Sequence, residues 1–295
     1  EKMDGKVATK TRKRGADFAE GLLHWNRYEN NRHMPWKGEK DPYKIWLSEI
    51  MLQQTRVEQG LKYYQNFIEA SPEIHALAAP PEAKVFKLWE GLGYYSRCRN
   101  LIATANHISQ QLGGIFPKDY ESILALKGVG SYTAAAIASF AYNLPHAVLD
   151  GNVFRVLSRI FDVEVPIDST PGKKTFSVLA QDTLPPTHAG EYNQAIMDFG
   201  ATICKPVPVC DDCFFNRQCL AYLNGRHQLL PVKEKKTKIK KRWLNYFIVK
   251  CGDEMLIQQR IEKEIWRGLH QFVLIETNRS CKRSQLEELF QKQYA

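Results

Sequence analysis

Apolar residues recur every three to four positions through most of the chain up to residue 226, and at alternate positions near its end. In "DFAEGLLHWNRYENN", Phe18, Leu22, Trp25 and Tyr28 share one helical face. The stretch "DPYKIWLSEIMLQQTRVEQGLKYYQNFIEA" opens with Asp41 as an N-cap and Pro42 in the first turn. "PEAKVFKLWEGLGYYSRCRNLIATANHISQQLGG" predicts two helices around a glycine-punctuated turn. "DYESILALKGVGSYTAAAIASFAYN" predicts helix, tight turn, helix, and "GNVFRVLSRIFDV" starts another helix. At 233–242 the run "KEKKTKIKKR" has seven basic residues and one acidic, too charged to bury itself, so 227–242 reads as a basic linker. Beyond it, "RWLNYFIVKCGDEMLIQQRI" reads as two strands joined at a Gly-Asp turn, and "HQFVLIE" as a third. The 53 residues from Trp243 are few for an independent domain and suggest a truncated one. Residues 1–16, polar and basic, read as a disordered arm.

Composition narrows the partner. The chain has 295 residues, enough for two domains, and 41 Lys and Arg against 32 Asp and Glu give a net charge of +9. That excess favours a polyanion, most often nucleic acid, over the blander reading of a soluble basic protein. No apolar run approaches a membrane span, and the first residues lack the apolar core of a secretory signal. Seven cysteines, four of them between 204 and 219, argue against a secreted disulfide framework. The expected location is intracellular, in the cytoplasm or nucleoid.

Three stretches carry chemistry. In "LKGVGSYTAAAIASF", Gly128 and Gly130 flank Val129 between two helical patterns; glycine there permits a left-handed turn and close backbone approach. The following helix would offer its unpaired N–H groups to a phosphate, although a plain helical hairpin fits the same residues. Asp150 precedes the apolar helical positions Val153, Val156, Leu157 and Ile160. It is an N-cap by position, and the helix dipole and backbone donors favour its ionised form. Glu49, flanked at helical spacing by Ile45, Trp46 and Leu52, has the opposite setting: an apolar face raises its pKa. One acid kept protonated and one kept ionised suit acid-assisted bond cleavage through a cationic transition state. The cysteines, spaced C-x5-C-x2-C-x5-C at Cys204, Cys210, Cys213 and Cys219, suit zinc or an iron–sulfur cluster.

"LSEIMLQQTRV", "GLGYYSR", "LKGVGSYTAAAIAS", "LDGNVFRVLSR" and the cysteine cluster occur in this order over some 200 residues. In this the chain resembles the MutY-type adenine DNA glycosylases of the helix-hairpin-helix superfamily that includes endonuclease III. The resemblance implies a mostly α, helix-hairpin-helix DNA glycosylase fold, a six-helix barrel module plus a cluster-bearing helical module, over 17–226. A short α+β MutT/Nudix-like domain would follow over 243–295. It implies that Glu49 protonates a flipped adenine at N7 and that Asp150 stabilises the oxocarbenium-like sugar, supported by Asn152 and Tyr132. Gln54 and Tyr94 match the wedge that enters the base stack, and Leu52 a wall of the base pocket. Gln53, Thr55, Arg97, Arg32, Lys37, Gly128, Gly130 and Gln194 complete the expected DNA and base contacts. Bifunctional relatives carry a lysine where Tyr132 stands; a phenol cannot form a Schiff base, so the strand is expected to stay uncut.

The resemblance also shifts the metal from zinc toward [4Fe-4S], although relatives use C-x6-C-x2-C-x5-C and this chain is one residue short in "KPVPV", with zinc the alternative. Lys37 follows "PW" where relatives often have Arg, and Gln194 stands where some have Glu. A Nudix hydrolase needs G-x5-E-x7-R-E; counting from Gly268, Leu274, Lys282 and Arg283 break the pattern, which argues against nucleotide hydrolysis. The expectation is a monomeric enzyme removing adenine opposite 8-oxoguanine or guanine in double-stranded DNA. An endonuclease III-like enzyme for oxidised pyrimidines is the first alternative, and a non-catalytic DNA-binding protein with a structural metal the second.

Overall fold

The computed structural model describes residues 5–234, 241–261 and 266–294. The chain forms two compact units, Glu1–Gly93 with Arg97–Lys235, and Tyr94–Ser96 with Lys236–Ala295. The first is helical: α1 (Gly5–Tyr28), α2 (Pro42–Leu52), α3 (Val57–Ala70), α4 (Ile74–Ala78), α5 (Glu82–Trp89), α6 (Tyr95–Gln111), α7 (Tyr120–Leu124), α8 (Ser131–Tyr142), α9 (Gly151–Ile160), α10 (Thr170–Thr183), α11 (Ala189–Thr202) and α12 (Leu220–Leu223). Residues 5–16, expected in a disordered arm, are helical, in one helix with Phe18 and Leu22; positions 1–4 of that arm and 235–240 of the linker lie outside the described residues. Among the described residues no helix is long and apolar enough to cross a membrane.

Two helices decide where the site lies. In α2, Asp41 caps the N-terminus by accepting from the Tyr43 N–H at 2.9 Å, and Pro42 costs nothing where the N–H would be unpaired. Tyr43 and every residue from Ile45 to Met51 are buried, so α2 is a central helix rather than an amphipathic one. Each large apolar side chain buried there contributes about 1.5–3 kcal/mol. The apolar pattern from residue 41 to 70 does not make one helix: it breaks at 53–56, with Gln54 in the left-handed region at φ 55°. In α9, Val153, Val156, Leu157 and Ile160 are buried with Phe18, Leu22 and Trp25 of α1 and Tyr192, Ile196 and Phe199 of α11. Gly200 lets α11 close on the start of α9: a Cβ there would stand 2.7 Å from the Asn152 Cβ. α2 thus carries Glu49 and α9 carries Asp150.

The second unit is small. β1 (Trp243–Phe247) pairs antiparallel with β6 (Val273–Thr277), from Trp243 opposite Thr277 to Phe247 opposite Val273. β2 (Lys250–Cys251) and β3 (Glu254–Met255) form the hairpin at the Gly-Asp turn, β4 (Gln258–Gln259) pairs with β5 (His270–Gln271), and α13 (Arg283–Tyr294) follows. The expected turn is present, but it joins strands of two residues; the longer β1 takes its partner 30 residues away.

Candidate active site

Glu49, Asp150, Tyr132 and Asn152 line one cavity of about 320 Å³ together with Arg32, Leu52, Gln53, Thr55 and Gln194. That volume is within the range of small-ligand sites. Glu49 is only 8% exposed, and burial pushes its carboxyl up to about 7. The nearby Asp150 charge pushes the same way, while the Tyr132 hydroxyl opposes. Tyr132 Oη also lies 3.3 Å from Met197 Sδ. A thioether is a weak acceptor, so the single phenolic proton belongs to Glu49 whenever that acid is ionised.

Asp150 is the N-cap of α9. Its Oδ1 accepts from the Val153 N–H at 2.7 Å and its Oδ2 from Asn152 Nδ2 at 2.9 Å. The expectation that capping would govern this group is corrected: burial is the largest influence and raises its pKa, against those two donors and the Arg155 charge. Arg155 Nη2 in turn donates to Asn152 Oδ1 at 2.8 Å and to the Gly200 carbonyl at 2.7 Å, and its Nε to the Cys204 carbonyl at 2.8 Å. The capping amide and the loop that bears the first cysteine are thus joined by one guanidinium.

The base-contact set divides. Gln194 and Arg32 line the cavity, and both are tied to a residue the sequence reading missed, Asp198, which is wholly buried. Lys37 binds the Arg32 carbonyl and Asp198, each at 3.0 Å. A carboxylate four residues after Gln194 inside the apolar run "AIMDFG" was the available signal: such a residue faces the same way and must find partners. Gln53 Nε2 lies 3.4 Å from Thr133 Oγ1. Gln54 is exposed with φ 55°, and Tyr94, 56% exposed, has φ 49°. Such backbone is uncommon outside glycine and concentrates at functional sites.

Arg97, expected to contact DNA, does not present itself to a ligand. It is 7% exposed, and its Nη1 donates to the carbonyls of Ile50, Met51 and Gln53 at 2.9, 2.8 and 2.6 Å. Those carbonyls at the end of α2 lack helical partners, so a buried cation satisfies them and fixes the loop after Glu49. At the α7–α8 hairpin, Gly128 has φ 81° and a Cβ there would meet Asn100 at 2.7 Å, so glycine is required twice over. Gly130 has ordinary extended backbone at φ −98°, with open space around it.

All four cysteines of the cluster line a second cavity with Arg159, Phe199, Ile203 and His227, and all are free thiols. Arg159 grips the loop: its Nη1 donates to Cys204 Sγ at 3.4 Å and to the Lys205 carbonyl at 2.6 Å, its Nη2 to the Pro206 carbonyl at 2.9 Å. Burial pushes the Cys213 and Cys219 thiols up to about 11. Among the described residues no group of three or more His, Cys, Asp or Glu converges as a site for a metal ion. The sulfurs are ranged around a cavity, and the buried His227 Nδ1 in its wall has no hydrogen-bond partner among the described residues. Four thiol donors around an apolar space of about 20 Å³ are a donor set that suits either an iron–sulfur cluster or zinc.

The model of the HhH-GPD superfamily of base excision DNA repair proteins matches residues 47–176. The chain is 38% identical over 257 residues to the adenine DNA glycosylase of Buchnera aphidicola subsp. Baizongia pistaciae, covering 86% of this chain and 73% of that one. Among solved structures, a thermostable thymine-DNA glycosylase is similar with a TM-score of 0.66 and 29% identity, covering 74% of this chain and 99% of that one. A non-covalent endonuclease III–DNA complex, at TM-score 0.59 and 19% identity over 72% of this chain and 97% of that one, shares the fold.

Proposed function

The chain belongs to the adenine DNA glycosylase family within the helix-hairpin-helix base excision repair superfamily, and from that membership we propose that it hydrolyses the N-glycosidic bond of adenine mispaired with 8-oxoguanine, or with guanine, in double-stranded DNA. The observation that carries this reading is the pair of carboxyls on one cavity, both raised by burial, Glu49 to about 7, with Asp150 alone held by two donors at a helix start. A base cannot be cut inside a duplex, so the adenine is flipped into the cavity while Gln54 and Tyr94 fill the stack. Glu49 gives its proton to N7, the electron pair of the glycosidic bond leaves with the neutral base, and the Asp150 carboxylate stabilises the cationic sugar until water adds and returns a proton to the Glu49 carboxylate. Asn152 and Tyr132 hold the two acids in place. Tyr132 has no amine to attack the sugar, so the enzyme leaves an abasic site in an uncut strand.

The α7–α8 hairpin holds the phosphate backbone through main-chain N–H groups near Gly130, without reading sequence. Cys204, Cys210, Cys213 and Cys219 would hold a [4Fe-4S] cluster, which supplies no bond-breaking chemistry here; its ligand loop is tied to α9 through Arg155 and Arg159. Residues 243–295 are read as part of a MutT-like domain that senses 8-oxoguanine, supported by their antiparallel strands and following helix. The enzyme acts as a monomer inside the cell, where free thiols persist.

One assay tests the function. The protein is incubated with duplexes carrying adenine opposite 8-oxoguanine, adenine opposite guanine, or thymine glycol. Free adenine should be released from the first two, with strand breakage only after alkali. Release from thymine glycol alone would replace this reading with an endonuclease III-like one, and breakage without alkali would remove the monofunctional assignment.

A further inference from the structure

We propose that Asp198 is a positioning residue that fixes which end of the Gln194 amide faces the cavity, and so selects a base carrying an exocyclic amino group. The inference rests on the adenine reading above. Asp198 is wholly buried, and its two oxygens accept three hydrogen bonds and make one further ion pair. Oδ1 accepts from Arg32 Nη1 at 2.7 Å and from Gln194 Nε2 at 3.0 Å. Oδ2 accepts from Asn30 Nδ2 at 2.9 Å and lies 3.0 Å from Lys37 Nζ. Set between two cations, the side chain is a carboxylate, which accepts hydrogen bonds and never donates them.

A glutamine amide is donor at one end and acceptor at the other, and its orientation follows from its partners. With Nε2 committed to a carboxylate, a flip would set Oε1 against Asp198, two acceptors in a buried place. Gln194 lines the cavity, and among the described residues its Oε1 accepts no hydrogen bond. The group it has left for a flipped base is therefore an acceptor. That pairs with the 6-amino group of adenine. It opposes the 6-oxo group of hypoxanthine, which would leave two acceptors facing one another. The uncharged Gln194 then does the work of a carboxylate toward the base, because a buried carboxylate behind it has fixed its polarity.

The test is single-turnover excision of adenine and of hypoxanthine, each opposite 8-oxoguanine, with melting temperatures recorded for each variant. Wild type should favour adenine. Asp198→Asn can accept or donate, so it frees the Gln194 amide to turn, and the adenine-to-hypoxanthine ratio should fall at least about tenfold. Adding Gln194→Glu to that variant should restore the ratio: the new amide donates to the new carboxylate, whose second oxygen accepts from the base. A ratio unchanged in Asp198→Asn while both rates fall together would show a merely structural role and overturn the proposal, as would failure of the double variant to restore it. If Asp198→Asn does not fold, Gln194→Leu reads the same ratio, and an unchanged value there overturns the proposal too. Absence of adenine release by the wild type would instead sink the function itself.

Discussion

Helix α9 lines both cavities, and the two are finished differently. At its start, Asp150 is held by Val153 and Asn152, Asn152 by Arg155, and Asp198 by three donors and an ion pair. At its other end, the cysteine cavity has Cys204 beside Arg159 and Cys219 Sγ donating to the Arg159 carbonyl at 3.3 Å, but His227 Nδ1 is buried with no partner among the described residues. Protein groups alone organise the reaction site, which is the condition for electrostatic catalysis without reorganisation. In the cysteine cavity one buried ring nitrogen is left for a further group to satisfy. Changes in the first should therefore act on rate, and changes in the second on stability.

The largest effect should come from the acids. Glu49→Gln removes the proton donor, and excision should fall about 10²–10⁴-fold with DNA binding kept. Asp150→Asn separates two roles of one residue. Asparagine caps as well as aspartate, so the melting temperature should hold while excision collapses by a similar factor. Gel-shift, single-turnover and melting measurements check both; a normal rate from Glu49→Gln would sink the acid assignment, and an unfolded Asp150→Asn would show that its charge is structural. Removing the metal bound by the cysteines, or Cys213→Ser, should act the other way round. Structural metals contribute several kcal/mol, so the melting temperature should drop on the order of 10 °C. A colourless protein with stoichiometric zinc and no absorbance near ~400 nm would put zinc in place of the cluster.

The sequence made the two acids legible because each has a local signature: apolar neighbours at helical spacing around Glu49, and a position just before an apolar helix for Asp150. The helical order was legible for the same reason. Arg97 was misread because an arginine in a DNA-binding motif looks like a phosphate contact. Its carbonyl partners stand 44–47 positions away and become visible only when α6 crosses the end of α2. Asp198 was missed because three of its four partners come from a distant stretch, 30–37. The break at 53–56 was invisible as well, since the apolar pattern runs through it and the left-handed turn is carried by Gln54, not glycine.

The pH dependence sharpens the contrast between rate and stability. With Glu49 raised to about 7, the protonated fraction falls above that pH, and excision should fall about tenfold per pH unit there. Between the ordinary carboxyl value of 4.5 and 7 the folded state binds the Glu49 proton and the unfolded chain does not. Stability should therefore decrease as pH rises through that window, by roughly 3 kcal/mol, and stay lower above it. Glu49→Gln should remove this share of the slope, so at pH 8 it should melt above the wild type, exchanging activity for stability. Equal melting of the two proteins at both pH 5 and pH 8 would mean that Glu49 is not desolvated as the geometry requires.

The smallest effect belongs to a second capping aspartate, Asp41, on the helix that carries Glu49. Asp41 accepts from the Tyr43 N–H as Asp150 does from Val153, but it is not among the residues lining the cavity of Glu49. Asp41→Ala should cost about 1 kcal/mol, a drop of roughly 2–4 °C in melting temperature for a unit of this size. Because α2 is buried along its length and its far end is held by Arg97, the helix should stay docked and Glu49 should keep its place. Excision and its pH profile should then stay within about twofold of wild type, well under the tenfold that 1.4 kcal/mol in the barrier would produce. A tenfold loss of rate from Asp41→Ala would mean that the placement of Glu49 depends on the cap, and that the reaction site is less independent of its scaffold than the comparison with the cysteine cavity implies.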